Sequence, residues 1–360
     1  MPRCDALDWL KAIGITLVVY GHVAHASTVA WTPPIYVKQL GVSLFLFATG
    51  FTLARERRPA VAVLVRRLLP VYLYGLATAA AITMIGLVGH TGLAPSNYLP
   101  FLGGANVVFD HFPANPTTWY LGTYLHAVVL WAVWLQRVRV GPAMILVAIA
   151  IEIPARALLT SWAGPYVAYM LLTNWLAVFL AGLAWGARPL APPRGSAVRY
   201  LAALVGGLAG WALAMRPLGF TPTFPFMTLD RWPAVTGAVA VSAAASLLYL
   251  SAAVLTFEAG QRVSAPRPVR FLARNSLIIV LVHMPVFMAL NPVLTGLGLS
   301  YWSKVAIELA LCLPGLAVLS AVIVRLSQPG VLADRALSVW SARHPLRACA
   351  AGPMPSLEHR

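Results

Sequence analysis

Trp-Leu-Lys-Ala-Ile-Gly-Ile-Thr-Leu-Val-Val-Tyr-Gly-His-Val-Ala-His-Ala-Ser-Thr, residues 9–28, carries one formally charged side chain, Lys11. A helix needs about 20 mostly apolar residues to cross the hydrocarbon core of a bilayer, so this run is long enough to span one. Arg3 and Lys11, the short apolar stretch and Ala24-His25-Ala26 also imitate a cleavable signal peptide. Asp5 and Asp8 are wrong for a basic leader, however, so the run is read as a first span.

Working outward, nine further runs of suitable length follow: Lys38 to Ala54, Leu68 to His90, Trp119 to Gln136, Gly141 to Leu159, Pro165 to Ala187, Val198 to Met215, Trp232 to Phe257, Phe271 to Leu290 and Tyr301 to Leu326. The composition agrees, with 60% hydrophobic and only 10% charged residues in 360, against roughly 25% charged in an ordinary soluble domain. The expected fold is all-α: a polytopic transmembrane bundle of about ten spans over residues 1–326, followed by a tail over residues 327–360.

Basic residues gather in cytoplasmic loops, and here they fall in every second connection. Arg55, Arg57, Arg58, Arg66 and Arg67 come first, then Arg137 and Arg139, then Arg188, Arg194 and Arg199, then Arg262, Arg267 and Arg270. The 28 residues from Thr91 to Thr118 have no basic side chain except His111. Both termini are therefore expected in the cytoplasm, with Arg325, Arg335, Arg343 and Arg347 in or near the tail, and the chain in an inner or plasma membrane. The formal charge of +16 is then mostly topology, with the lipid bilayer as its partner. No basic helix with interleaved aromatics and no zinc-ligand spacing points to nucleic acid. Cys4, Cys312 and Cys349 are too few and scattered for a disulfide framework or metal cluster, and no metal is implied.

Ionisable groups in a span are costly in lipid and normally face the bundle interior, which makes them site candidates. Lys11 and His22 lie 11 residues apart, hence within about 20° on one helical face, with Asp8, Ile15, Val18 and His25 near the same stripe. Their axial separation is about 16 Å. A histidine of unperturbed pKa about 6.5 is suited to taking a proton from a hydroxyl; the position equally suits a histidine bonded to a neighbouring helix. Ser276 and His283 share a face in the ninth run in the same way. Glu152 with Arg156, and Lys304 with Glu308, are spaced as structural i, i+4 pairs. Trp119, Tyr120 and Trp232 stand at span starts, where aromatic side chains anchor at the interface. The stretch from Thr91 to Thr118, with Asp110 and His111, suits the mouth of a site.

Asp8-Trp9-Leu10-Lys11-Ala12-Ile13-Gly14-Ile15, continuing through Val18-Val19-Tyr20-Gly21-His22, resembles the first span of the acyltransferase-3 family of membrane acyltransferases, especially its sugar O-acetylase-like branch. Val42 to Phe51, Thr118-Trp119-Tyr120-Leu121, and Asn275-Ser276-Leu277 with His283 resemble later segments of that family, in order. The resemblance implies transfer of an acyl group, in the first instance acetyl, from acyl-CoA to a hydroxyl of a glycan, lipid-linked sugar or natural product. Acyl-CoA would be a co-substrate, and no cofactor would be permanently bound. It also implies roles for His22 and for the basic residue 11 positions before it, here Lys11. Lys keeps the charge of the more frequent Arg but not its bidentate geometry. The family's Arg-x-x-Arg before a proline is half present: Leu64 stands at its first position relative to Pro70, and Arg67, beside Arg66, at its second.

Coenzyme A is a polyanion, and arginines near a helix N-terminus suit it; Arg67 and Arg66 are accordingly the expected donor contacts. Ser276, His283 and Asp8 are further substrate-binding candidates. His22 is expected as general base, and a transient acyl group on its ring stays open. The rival reading is a transporter or flippase of a polar lipid or sugar, with the polar stripe lining a pathway. Such proteins often show inverted repeats, and no clear internal repeat is visible.

Overall fold

The computed structural model describes residues 4–26, 37–88, 103–108, 119–189, 195–215 and 235–343, and all regular structure among these is helical. In chain order the helices are α1 (Asp5–Ala26), α2 (Val37–Ala54), α3 (Ala60–Val88), α4 (Trp119–Val133), α5 (Pro142–Ala163), α6 (Pro165–Met170), α7 (Leu176–Gly186), α8 (Ala197–Met215), α9 (Val235–Gly260), α10 (Arg267–Gly296), α11 (Tyr301–Ile307), α12 (Leu313–Ser327) and α13 (Pro329–Arg343). Six helical stretches are long and apolar enough to cross a membrane, and four shorter apolar helices accompany them, Lys38–Ala54, Trp119–Val133, Leu176–Gly186 and Ala197–Leu213.

Two of the expected continuous spans are interrupted. The run from Pro165 to Ala187 is α6, a 3-10 turn at Leu172–Asn174, and α7. Buried backbone that leaves the helix must find partners inside the protein, and here it does. The Asn174 amide and the Trp175 indole N–H both donate to the Tyr169 carbonyl, at 3.1 and 2.9 Å. The Glu152 carboxylate accepts from the Ala177 N–H at 2.7 Å, satisfying a donor in the first turn of α7. The run from Tyr301 to Leu326 is divided by a π-helical turn at Glu308–Cys312, just ahead of Pro314. Proline supplies no N–H to the preceding turn, and a π-bulge is one way for a helix to absorb that loss. Pro70, by contrast, lies within an unbroken α3, and Pro154 within an unbroken α5.

The bundle is built around α2. Glycines let α7 lie directly on it: a Cβ on Gly50 would overlap the Phe179 carbonyl oxygen, and one on Gly182 or Gly186 would overlap the carbonyl oxygens of Phe47 or Phe51. Gly182 and Gly186 stand four apart, the small-residue spacing that lets membrane helices approach closely. On the other side of α2, a Cβ on Gly14 of α1 would lie 3.1 Å from the Gly41 carbonyl oxygen. Phe47, Phe51, Phe179, Phe257 and Trp175 are fully buried around these contacts. Tyr120, expected as an interface anchor, is instead core. It is 7% exposed and packs on Phe45 at 5.8 Å between ring centroids, because the first turn of α4 faces α2.

Hydrogen bonds gather the arginine-bearing connections at one end. Arg55, after α2, donates to the Arg188 carbonyl, after α7, at 2.8 Å. The Trp9 indole, at the start of α1, donates to the Val263 carbonyl between α9 and α10 at 3.0 Å. Arg66 near the start of α3 pairs with Asp334 of α13, which places that last helix at the same basic end.

Candidate functional site

α1 and α10 pack side by side and bring together two histidines 261 residues apart. His283 Nε2 lies 3.0 Å from His22 Nδ1. The ring centroids are 4.8 Å apart and the planes tilted by 54°. His283 is fully buried, with the edge of Phe287 against it at 5.8 Å, and His22 is half-buried.

Two backbone carbonyls assign the protons. His283 Nδ1 is 2.9 Å from the Ile279 carbonyl, and His22 Nδ1 is 2.8 Å from the Val18 carbonyl. A carbonyl only accepts, and a neutral imidazole has one N–H and one bare nitrogen. With both rings neutral, each therefore carries its proton on Nδ1. His283 then presents a lone pair at Nε2, to which the His22 Nδ1–H donates as it also does to Val18. The proton-accepting nitrogen of His22 is consequently Nε2. Sequence spacing places each histidine on its own helix face; it does not reveal that the faces meet.

Lys38, at the start of α2, adjoins this pair and was not among the expected site residues. Gly21, next to His22, has no side chain, and the Lys38 methylenes occupy the space a Cβ would need. An ionisable residue in the first turn of a span was a legible signal; its direction was not.

The other expected residues collect at the basic end. Lys11 interacts electrostatically with Arg67 of α3 and with Asp8, one helical turn before it. That group stands about 16 Å along α1 from His22, so one helix links a cationic mouth to a pair of imidazoles. Arg66 is engaged by Asp334. Arg58 donates to the Glu56 carboxylate at 2.8 and 2.6 Å, and this guanidinium holds the Glu56 carboxyl below its ordinary range. Arg58 is thereby largely neutralised, while the like charges of Arg67 and Lys11 act on each other. Ser276 bonds back to the Ala273 carbonyl at 3.1 Å and stands about 10 Å from His283 along α10, away from the histidine pair. The side chain of His25 and the residues Asp110 and His111 lie outside the described residues.

Glu152 and Arg156 form the expected i, i+4 pair at 3.1 Å, within a larger buried network. Arg156 also donates to Asn174 Oδ1 at 2.5 Å, the Asn174 carbonyl at 3.1 Å and the Ser242 carbonyl at 2.6 Å. Glu152 additionally accepts from Ser246 and from the Ala177 N–H. The pair ties α5, the 3-10 turn, α7 and α9 together, which is structural work. The Lys304 ammonium goes to the Thr295 hydroxyl at 3.1 Å rather than into an ion pair with Glu308. Among the described residues no group of three or more His, Cys, Asp or Glu is placed to hold a metal ion.

A family described as an acyltransferase domain matches residues 5–325. No curated protein and no solved structure gives a match.

Proposed function

The chain belongs to the acyltransferase-3 family of membrane acyltransferases, and from that premise we propose that it carries an acetyl group from acetyl-CoA to a hydroxyl of a carbohydrate or glycosylated acceptor, with His22 as the base. The observation that carries this reading is the pair of contacts at His22 Nδ1, with the Val18 carbonyl, which puts the proton there and leaves Nε2 basic, and with His283 Nε2, which helps hold the ring in one orientation.

In the proposed reaction the donor approaches from the basic end, its phosphates near Arg67 and Lys11, and its thioester reaches into the bundle along α1. The acceptor hydroxyl gives its proton to His22 Nε2 as its oxygen bonds to the thioester carbonyl carbon. The imidazolium so formed donates from Nδ1 to two acceptors, the Val18 carbonyl and His283 Nε2, which favours the charged ring when it is needed. Collapse of the tetrahedral oxyanion breaks the C–S bond, and the departing thiolate takes the proton from Nε2. An ester and free coenzyme A result. Transfer without an acyl-enzyme needs only this one proton carrier.

The accompanying topology counts the four shorter apolar helices as spans, which makes ten. The arginine-rich connections and both termini lie on the cytoplasmic face of an inner or plasma membrane, in keeping with the excess of basic residues at one end.

The test uses membranes supplied with labelled acetyl-CoA and an acceptor extract. His22→Ala is expected to reduce transfer by roughly 10²- to 10⁴-fold, the usual contribution of a positioned acid–base group, with an unchanged amount of protein in the membrane. Full transfer by that variant would remove His22 from the reaction. Release of free thiol by purified protein should depend on added acceptor, whereas a transporter would accumulate substrate in vesicles without releasing thiol.

A further inference from the structure

On the flank away from α1, the helices α5, α7, α8 and α9 enclose a groove of about 1230 Å³. It exceeds the roughly 300–1,000 Å³ of an ordinary small-molecule pocket. Its walls are mostly apolar, and Leu146 and Leu247 remain 66% and 55% exposed on them. Along α9 the lining runs from Ala244 to Val254, about 15 Å at 1.5 Å per residue. That is half of a hydrocarbon core roughly 30 Å thick, the depth of one leaflet.

The two ends of the groove differ. At the basic end stand Arg139 and Arg188, both exposed, whereas the lining deeper in the membrane carries no charge. Arg188 is held in place: its guanidinium lies over the Trp185 ring at 4.3 Å, its carbonyl accepts from Arg55 at 2.8 Å, and the Trp185 indole donates to Glu258 at 3.2 Å. Deeper along the groove, Gly207 and Gly210 of α8 present bare backbone. A Cβ built on either would meet nothing within 4 Å. The space is therefore open, one leaflet deep, apolar along its length and cationic at its mouth.

We propose that this groove binds an anionic glycerophospholipid, with one acyl chain lying over α9 between α8 and the wall formed by α5 and α7, and its phosphate against Arg139 and Arg188. The complementarity is of shape and charge together: an apolar chain needs the glycine-walled cleft, and an anionic headgroup needs two guanidinium groups at headgroup level. The site lies apart from the histidine pair and does not depend on the transfer reaction.

The experiment is native mass spectrometry of the detergent-purified full chain, with dioleoylphosphatidylglycerol and dioleoylphosphatidylcholine at equal concentration. The wild type should retain the anionic lipid over the zwitterionic one by roughly 30-fold, as two basic side chains at headgroup level imply. Arg139→Gln with Arg188→Gln should bring the two lipids to parity. Gly210→Leu, whose Cβ enters open space, should lower retention of both while the unfolding temperature holds. Equal retention of the two lipids by the wild type would overturn the proposal, as would undiminished retention by Gly210→Leu. Preferential retention of palmitoyl-CoA in the same Gly210→Leu-sensitive manner would also overturn it, making the groove a seat for a long-chain donor.

Discussion

Whether an imidazole can accept a proton from an alcohol depends on which of its nitrogens is bare; for His22 the Val18 carbonyl puts the proton on Nδ1, and His283 shares that hydrogen bond and helps to orient the ring. The His283 ring accepts from His22 Nδ1 at 3.0 Å and is itself oriented by Ile279. His283→Leu takes away that acceptor without adding charge. It is expected to lower kcat by roughly 10- to 100-fold, the range typical for partners that orient a functional histidine, with KM for donor and acceptor little changed. His283→Gln, whose amide oxygen can accept the same bond, should recover part of the loss. The His22→Ala, His283→Leu double variant should be no slower than His22→Ala alone, since groups acting as one unit are not additive. Steady-state kinetics on the four proteins check this, and additive losses would separate the two rings. Both histidines were legible in the sequence as ionisable groups in apolar runs. Their contact was not, because helical spacing orders residues within a helix and says nothing about which helix lies opposite. The place of Lys38 beside Gly21 is hidden in the sequence for the same reason.

Between helices, the close approach of α2 and α7 rests on backbone against backbone. An added methyl at Gly182 would overlap the Phe47 carbonyl, which cannot swing aside as a side chain can. Gly182→Ala is expected to destabilise the bundle by about 1–3 kcal/mol, the usual cost of overpacking. Gly206→Ala, where the new Cβ meets nothing within 4 Å, should not. Thermal unfolding of both variants in one detergent makes the comparison. The Glu152–Arg156 network is the other device at this scale. Glu152→Gln would leave the Arg156 guanidinium, only 3% exposed, without its counter-charge, at an expected cost of about 3–5 kcal/mol. The same unfolding measurement reads it, and an unchanged midpoint would show that the network is not what joins α5, α7 and α9. In the sequence the pair was visible from its spacing. That it also caps α7 and secures a broken span was not, since Asn174 and Ala177 reach it only through the fold.

Across the whole molecule, charge is distributed along one axis: the arginine-bearing connections meet at one end, and the imidazoles lie deeper along α1. Arg67→Ala should therefore raise KM for acetyl-CoA and make that KM less sensitive to added salt, leaving acceptor KM unaltered; kinetics at low and high ionic strength test it. A change in acceptor preference alone would invert the proposed polarity of the site. The membrane environment, the set of apolar runs and the identity of the buried ionisable groups were determined by the sequence by itself. Those features follow from hydrocarbon thickness and the cost of charge in lipid, which act on each segment separately. The interruption at Leu172–Asn174, the burial of Tyr120, the meeting of His22 with His283 and the approach of Lys38 were decided only by the tertiary structure. A helix apolar on nearly every side has no strong preference for how it is turned in a bilayer. Its rotation is set by glycine contacts and polar bonds to partners far away in the chain.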